Sequence, residues 1–141
     1  MKVTDIMTSN PACCTPEASL SEVANLMIRN DCGEIPIIES DGNRKLVGVV
    51  TDRDIVIRAV AKDASSDSRV SEIMTRSVVS IGPDADLAQC CEKMEDNQIR
   101  RIPVTNDQGE ILGIVAQADV ALHTGAAETA EVVRDISQPS H

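Results

Sequence analysis

The sequence predicts an α/β fold built from two β-α-β-β-α repeats, packed sheet to sheet about an approximate twofold axis. Three observations lead there. The chain matches itself at a constant offset, each copy carries apolar runs of helical and then strand character, and the core must be aliphatic. The 141 residues include no Phe, Tyr or Trp, while 42% are apolar and 26% charged, which is an ordinary globular balance.

The internal match is the strongest of the three. Residues 3–42 laid on 70–109 pair Val3 with Val70, Ile6-Met7-Thr8 with Ile73-Met74-Thr75, and Pro16 with Pro83. Ala18, Leu20, Met27 and Asn30 then meet Ala85, Leu87, Met94 and Asn97, and Ile35-Pro36 and Gly42 meet Ile102-Pro103 and Gly109. Residues 46–57 continue onto 111–122, adding Gly48/Gly113, Val50/Val115 and Asp54/Asp119. The first copy has two extra residues in its turn, near Asn43-Arg44-Lys45. A match over so much of the chain marks a tandem duplication.

Each copy opens with Ile-Met-Thr and a short extended stretch that ends before Pro16 or Pro83. A helix follows. In copy one its apolar set is Leu20, Val23, Ala24, Met27 and Ile28, spaced three and four apart. In copy two the set is Leu87, Cys90 or Cys91, and Met94, which makes those cysteines helix-face residues. Asn30-Asp31 and Asn97-Gln98 end the helices. Two strands come next: Ile35–Ile38 with 46–50 in copy one, and 102–104 with 111–115 in copy two. Their prolines favour a strand start or an edge. The intervening turns, 40–43 and 106–109, are rich in turn formers. The near-continuous β-branched runs Leu46–Val50 and Ile111–Val115 argue for strands covered on both faces. A second helix is expected after Asp54 and after Asp119.

This organisation gives repeat one at 1–60, a polar linker at 61–69, repeat two at 70–124 and a tail at 125–141. The tail offers one more short helix over 126–136, with Val132, Val133 and Ile136 on its apolar side and 137–141 frayed. A repeat of about 60 residues is marginal alone, so the two copies should share a core.

Composition excludes several functions. A formal charge of −10 and the lack of stacking side chains argue against nucleic acid and anionic membranes. No apolar run is long enough to span a bilayer and the N-terminus lacks a signal peptide's apolar region, so a cytoplasmic location is expected. The five cysteines form no C-x-x-C, and with only His123 and His141 available they do not suggest zinc. They read mostly as small buried hydrophobes, with redox pairing of Cys13 or Cys14 with Cys32 as the alternative. No Ser/His/Asp or Cys/His set can be assembled and no phosphate-binding glycine loop is present, so the chain reads as a binding protein rather than an enzyme.

The paired Ile-Met-Thr openings, the Ile-Pro-Ile and Ile-Pro-Val strands, and Gly48-Val49-Val50-Thr51-Asp52-Arg53-Asp54 with its weaker partner Gly113–Asp119 resemble the tandem cystathionine-β-synthase-type (CBS) domains of a Bateman module. The resemblance covers residues 3–123. It implies adenosine-containing ligands (AMP, ADP, ATP, NAD or S-adenosylmethionine) in clefts between the repeats, with the ribose on the T-x-x-D segment. The residues of copy one suit that role. Thr51 and Asp54 lie three apart at a strand-to-helix junction, the carboxylate can accept both ribose hydroxyl protons, and nearby helix N-terminal N–H groups and Arg53 favour phosphate. The competing reading of Thr51 and Asp54 is helix capping.

Copy two has Ala116 in place of Thr51 and keeps only Asp119 of the motif. It adds Arg100-Arg101, at a position where the resemblance implies phosphate-holding basic residues, and copy one has Gly33-Glu34 there. An Arg–Glu surface pair is the plain alternative for these arginines. The resemblance also matches Thr4 and Cys32 to the base of the Asp119 site, and Ser71 and Ile99 to that of the Asp54 site. No cofactor is required, and Mg²⁺ can accompany a polyphosphate.

The function expected is therefore a stand-alone regulatory module that signals through self-association or a separate protein partner, and the resemblance implies a homodimer with helical faces meeting. The alternative is a ligand-independent, stress-associated scaffold with vestigial clefts, favoured by Ala116 and Glu34. A redox sensor using Cys13, Cys14 and Cys32 is a third reading.

Overall fold

The computed structural model describes residues 1–123 and Ile136, and its elements form a mixed α/β arrangement of helices and antiparallel strands. In order these are β1 (Thr8–Ser9), α1 (Leu20–Asn30), β2 (Glu34–Ser40), β3 (Asn43–Thr51), α2 (Asp52–Asp54), α3 (Leu87–Asn97), β4 (Arg101–Thr105), β5 (Ile111–Ala116) and α4 (Gln117–His123). A wide π-type turn, Ile55–Ala59, and a tight turn, Val60–Lys62, carry α2 onward.

The chain divides into two compact units. Unit one gathers Met1–Asn10 and Val79–Asp107 with the described residues from Leu112 onward, and unit two comprises Pro11–Val78 and Gln108–Ile111. Each unit therefore joins the opening segment of one sequence repeat to the body of the other. The hydrogen bonds that seat the two openings are equivalent. Val3 N–H donates to Ala85 O at 2.9 Å in unit one, and Val70 N–H donates to Ala18 O at 2.8 Å in unit two. Thr8 pairs with Ile114 in the first case, and Thr75 bridges to Val49 in the second.

Glycine makes this docking possible. A Cβ on Gly113 would stand 2.5 Å from Met7 Sδ and 2.8 Å from Thr8 O, and one on Gly48 would meet Met74 Sδ at 2.8 Å and Thr75 O at 3.0 Å. The Ile-Met-Thr openings and the strand glycines recur together because they touch.

Helix α1 is capped by Ser19, whose side chain accepts from Glu22 N–H, and α3 by a reciprocal pair between Asp86 and Gln89. The polar segment expected only to link the repeats also serves α1. The Ser68 and Ser66 carbonyls accept from Leu20 and Ser21 N–H, both at 3.0 Å, and so satisfy donors that the helix cannot. Both helices end as the sequence suggests. Asp31 and Gln98 take left-handed conformations, while Asn30 and Asn97 side chains donate to carbonyls four residues back.

The core is aliphatic and thiol-bearing in both units. Val3, Cys90, Met94, Ile102, Val104 and Val115 are among the residues that fill unit one, and Val23, Ile35, Ile37, Val50 and Val70 are central to unit two. Each such side chain contributes about 1.5–3 kcal/mol by leaving water. Ile136 is helical and buried in unit one, whereas the rest of the expected tail helix and its frayed end lie outside the described residues.

Several expectations need correction. Ile28 is 76% exposed, because the buried stripe of α1 runs through Leu20, Val23 and Met27 and leaves it on the outer edge. In unit two the strand with continuous burial is β2, where Ile35 through Ile38 are all buried, while β3 leaves Val47 and Val49 half-buried; β5 meets the expectation more nearly, with only Leu112 half-buried in Ile111–Val115. Of the two places expected for the prolines, a strand start or an edge, the structure shows the edge: Pro36 lies opposite Val49 in the two-stranded pair β2-β3, and Pro103 lies within β4, the outer strand of the order β1-β5-β4. The second helices begin at Asp52 and Gln117, so Asp54 and Asp119 sit within the first turn instead of preceding it.

Candidate functional site

Strand β3 ends and α2 begins at Thr51, and that junction is held by two reciprocal bonds. Asp54 N–H donates to Thr51 Oγ1 at 3.1 Å, and Thr51 N–H donates to Asp54 Oδ2 at 3.0 Å. This is a capping box, so the capping role expected as the alternative for these residues is present. It does not exhaust their chemistry. Thr51 keeps its hydroxyl proton, and Asp54 keeps Oδ1.

Sequence reasoning missed Arg58, which lies one turn after Asp54. Its Nε stands 3.7 Å from Asp54 Oδ1, and its Nη1 donates to Ile73 O at 3.2 Å. The guanidinium thus ties the carboxylate to the opening segment that carries Ser71. The spacing of four from Asp54 was the available signal. In unit one the matching residue is His123, whose Nδ1 lies 2.8 Å from Asp119 O. Arg53 is exposed at the surface of the α2 turn, where its N–H donates to Asp52 Oδ1 at 2.8 Å.

Across the ladder from Thr51 stands Glu34, its register partner and only 8% exposed. The strand start is fixed to the turn by Asp52 N–H donating to Gly33 O at 2.9 Å. Unit one repeats this bond, Gln117 N–H to Arg100 O at 2.8 Å. Gly33-Glu34 and Arg100-Arg101 are therefore structurally equivalent, which the sequence offset alone could only suggest. Arg100 is exposed and Arg101 half-buried.

Unit one retains the carboxylate bond without the threonine. Ala116 N–H donates to Asp119 Oδ2 at 2.7 Å. Thr4 is exposed on the one-turn helix Val3–Asp5 of the same unit, and Ile99 packs on that unit's core. In unit two, Ser71 is half-buried with its N–H donating to Pro16 O at 3.1 Å, and Cys32 lies against the core. Asp54 and Ser71 thus share a unit, as do Asp119, Thr4, Arg100 and Arg101. Cys32 and Ile99 each lie in the unit opposite the carboxylate to which they were matched.

A separate cleft of about 580 Å³ opens on α1 of unit two, and none of the T-x-x-D residues lines it. Its walls include Cys13, Cys14, Glu22, Asn25, Arg29 and Asp41. The mixed charges give it no preference for an anion, so size alone does not make it the better candidate. None of the five cysteines is in a disulfide. Burial pushes the Cys13 thiol up, against the pull of Arg44, whose Nη2 lies 3.5 Å from Sγ. Burial, aided by the neighbouring cysteine, raises Cys14 and Cys90 to about 12. Thiols held protonated in this way make poor redox nucleophiles. Among the described residues no cluster of three or more His, Cys, Asp or Glu could hold a metal ion, and no helix is long and apolar enough to cross a membrane.

Comparison with known proteins places this geometry in context. A family model described as the CBS domain matches residues 3–60 and again 70–123. The CBS domain-containing protein YhcV of Bacillus subtilis is 37% identical over 128 residues, covering 91% of this chain and 89% of that protein. Hypoxic response protein 1 of Mycobacterium tuberculosis is 31% identical over 136 residues, covering 96% and 93%. A crystal structure of Hypoxic Response Protein I with two coordinated zinc ions superposes with a TM-score of 0.79 at 30% identity, over 89% of this chain and all of that one. The CBS domain pair of protein MJ0100, in complex with 5′-methylthioadenosine and S-adenosyl-L-methionine, also superposes with a TM-score of 0.79 at 30% identity, again over 89% of this chain and 100% of its own.

Proposed function

The chain belongs to the CBS-domain family, with two copies of that domain along its length, and from this premise we propose that it is a regulatory module binding an adenosine-containing ligand at the Thr51–Asp54 turn. One observation carries the reading. The capping box fixes Thr51 and Asp54 in place while leaving a hydroxyl proton and a carboxylate oxygen to offer, and the partner of that oxygen, Arg58, stands at the long distance of 3.7 Å. A ribose diol presents two donors to one acceptor carboxylate, and a carboxylate that needs no reorganisation binds it at lower entropic cost. The adenosine ligands of the MJ0100 pair support the ligand class, since that chain is 30% identical to this one. The adenine would lie among aliphatic side chains, because the sequence has no aromatic residue.

The module regulates by binding one arrangement of its repeats more tightly than another, since equal affinity for both shifts nothing. Its signal passes through self-association or a separate protein partner. An enzymatic role finds no support in the residues at the turn, which offer hydrogen bonds and charge but no activated nucleophile.

A ligand-independent scaffold is the second reading, favoured by the survival of the Ala116–Asp119 bond in a motif that has lost its threonine. Dye-monitored melting of nucleotide-stripped protein separates the two. Adenosine ligands at saturating concentration should raise the melting temperature of the wild type, as any ligand selective for the native state does. Asp54→Asn should lose the part of that shift that the Thr51–Asp54 turn contributes, and keep only what the Asp119 turn supplies. No shift with AMP, ATP, adenosine or S-adenosylmethionine would favour the scaffold.

A further inference from the structure

We propose that unit two carries a second ligand site, separate from the Thr51–Asp54 turn, where the cleft beside α1 takes a short extended peptide with free termini. The peptide lies as an added strand along Cys13–Thr15, with its ammonium group toward Glu22 and Asp41 and its carboxylate toward Arg29.

An open backbone edge is the first observation. Cys14 N–H donates to Pro36 O at 3.2 Å, and Cys14 O accepts from Ile38 N–H at 2.9 Å, which makes a parallel bridge to β2 at Ile37. The flanking peptide bonds are trans, so the Cys13 carbonyl and the Thr15 N–H point away from β2. Neither finds a hydrogen-bond partner among the described residues. An acceptor and a donor on either side of one bridged residue are the groups an incoming strand uses. Cys13 and Thr15 both line the cleft, whose volume of about 580 Å³ lies within the small-ligand range of about 300–1,000 Å³.

The order of charges along the cleft is the second. Glu22, Asn25 and Arg29 line it from one face of α1, at spacings of three and four. Acid, amide and base thus follow one another over about 10 Å, at a rise of about 1.5 Å per residue. An extended peptide of three residues is also about 10 Å long, and it presents ammonium, amide and carboxylate in that order. Asp41, the residue after β2, adds a second acid to the lining. Among the described residues none of these four side chains makes a hydrogen bond or an ion pair. Unit one repeats the edge, with Ile81 bridging Val104, but α3 carries Gln89, Glu92 and Asp96 at the matching positions. The acid–amide–base order is therefore a property of unit two.

The two observations agree in direction. Segment 13–15 runs parallel to β2, and α1, the crossover between them, runs against both. A peptide placed with its ammonium at Glu22 and its carboxylate at Arg29 follows α1 and is antiparallel to Cys13–Thr15. In that pairing the carbonyl of its first residue accepts from Thr15 N–H, and the N–H of its third donates to the Cys13 carbonyl. Three residues are the fewest that make both bonds, and three match the spacing of the charges.

Trialanine tests the site, because it carries a backbone and two charged termini with no side-chain preference. Titrated into the ¹⁵N-labelled protein, it should shift the Thr15 amide resonance saturably, and free alanine should not. Amidating the carboxylate or acetylating the ammonium should each weaken binding about threefold to fivefold, the worth of one exposed charge pair. Arg29→Gln should cause the same loss for trialanine while leaving trialanine amide within about twofold of the wild type. Glu22→Gln should likewise weaken trialanine and spare the acetylated peptide.

A Thr15 resonance that stays still up to about 10 mM trialanine would overturn the inference. So would an equal response to free alanine, equal affinity for the free and the doubly blocked peptide, or an equal loss for trialanine and its amide on Arg29→Gln. Glu22 and Arg29 are exposed, so their variants should keep the fold, as read by far-ultraviolet dichroism. If one does not, the peptide series on the wild type decides alone. No residue of the Thr51–Asp54 turn lines the cleft, so either result leaves the ribose reading to its own test.

Discussion

Glu34 and Thr51 are cross-strand partners, so a buried acid stands opposite the hydroxyl that caps the following turn. That pairing joins two facts the chain keeps far apart. The threonine belongs to the segment that marks the family, and the glutamate occupies the position that holds Arg101 in the other repeat. The proposed site is consequently framed by the hairpin β2–β3 and not by the T-x-x-D segment alone.

Thr51 has two duties that substitution can separate. Thr51→Ala removes the acceptor for Asp54 N–H and should cost about 1 kcal/mol of stability, read by thermal melting. It should also weaken adenosine binding about tenfold, roughly the net worth of one hydrogen bond. Thr51→Ser retains the hydroxyl and should restore both properties. Lost stability with unchanged affinity in the alanine variant would reduce Thr51 to a cap.

The strand glycines should tolerate no side chain. Gly113→Ala would drive a methyl to 2.5 Å from Met7 Sδ and 2.8 Å from the Thr8 carbonyl, so a loss of about 1–3 kcal/mol is expected. Adding Met7→Ala should recover little, because the backbone carbonyl remains. At Gly48 the closest atom is Met74 Sδ at 2.8 Å, with Thr75 O at 3.0 Å. Combining Gly48→Ala with Met74→Ala should therefore recover more. Wild-type melting for either glycine variant would contradict the seating of the openings described above.

Burial of Cys14 and Cys90 sets an alkaline limit on the fold. Their folded-state values, about 12, lie above the ordinary thiol value of 9.0, so the native state binds those protons more tightly than the unfolded state. The stabilisation is complete below pH 9 and is lost as the pH rises towards 12. Melting temperatures should accordingly fall over that interval, and Cys90→Ala should flatten the fall. A thiol reagent at neutral pH should label the half-buried Cys13 and Cys32 before Cys14, Cys90 or Cys91. Rapid labelling of all five in native protein would contradict this packing.

Asp31 ends α1 at φ 48°, a conformation that glycine adopts more cheaply than other residues. Asp31→Gly should raise stability by a few tenths of a kcal/mol to about 1 kcal/mol in chemical denaturation. A loss of stability would mean that the aspartate side chain supports the cap.

Much of this molecule was legible in its sequence, and the rest was hidden for identifiable reasons. Periodicity located α1 and α3, and the repeat offset located β2 through β5, because burial imposes those spacings directly. The offset did not reveal that Val3–Ser9 joins the body of the other repeat, since a duplicated sequence reads the same whether its openings are exchanged or retained. Continuous apolar character was assigned to Leu46–Val50 when β2 is the buried strand. Both runs are β-branched, and composition does not say which one is covered. Thr51 and Asp54 were found by spacing. Arg58 was missed because its role depends on the π-type turn and on the return of Ile73 to that turn. Glu34 was read as favouring a vestigial cleft, but its burial opposite Thr51 required the hairpin register.

The most direct test of the central claim is a calorimetric titration of nucleotide-stripped wild type and Asp54→Ala with adenosine and AMP. The proposed account predicts saturable binding by the wild type and, for the Asp54→Ala variant, loss of the Thr51–Asp54 site. Identical isotherms for the two proteins, or no saturable heat from the wild type up to about millimolar ligand, where binding is worth only about 4 kcal/mol, would contradict it.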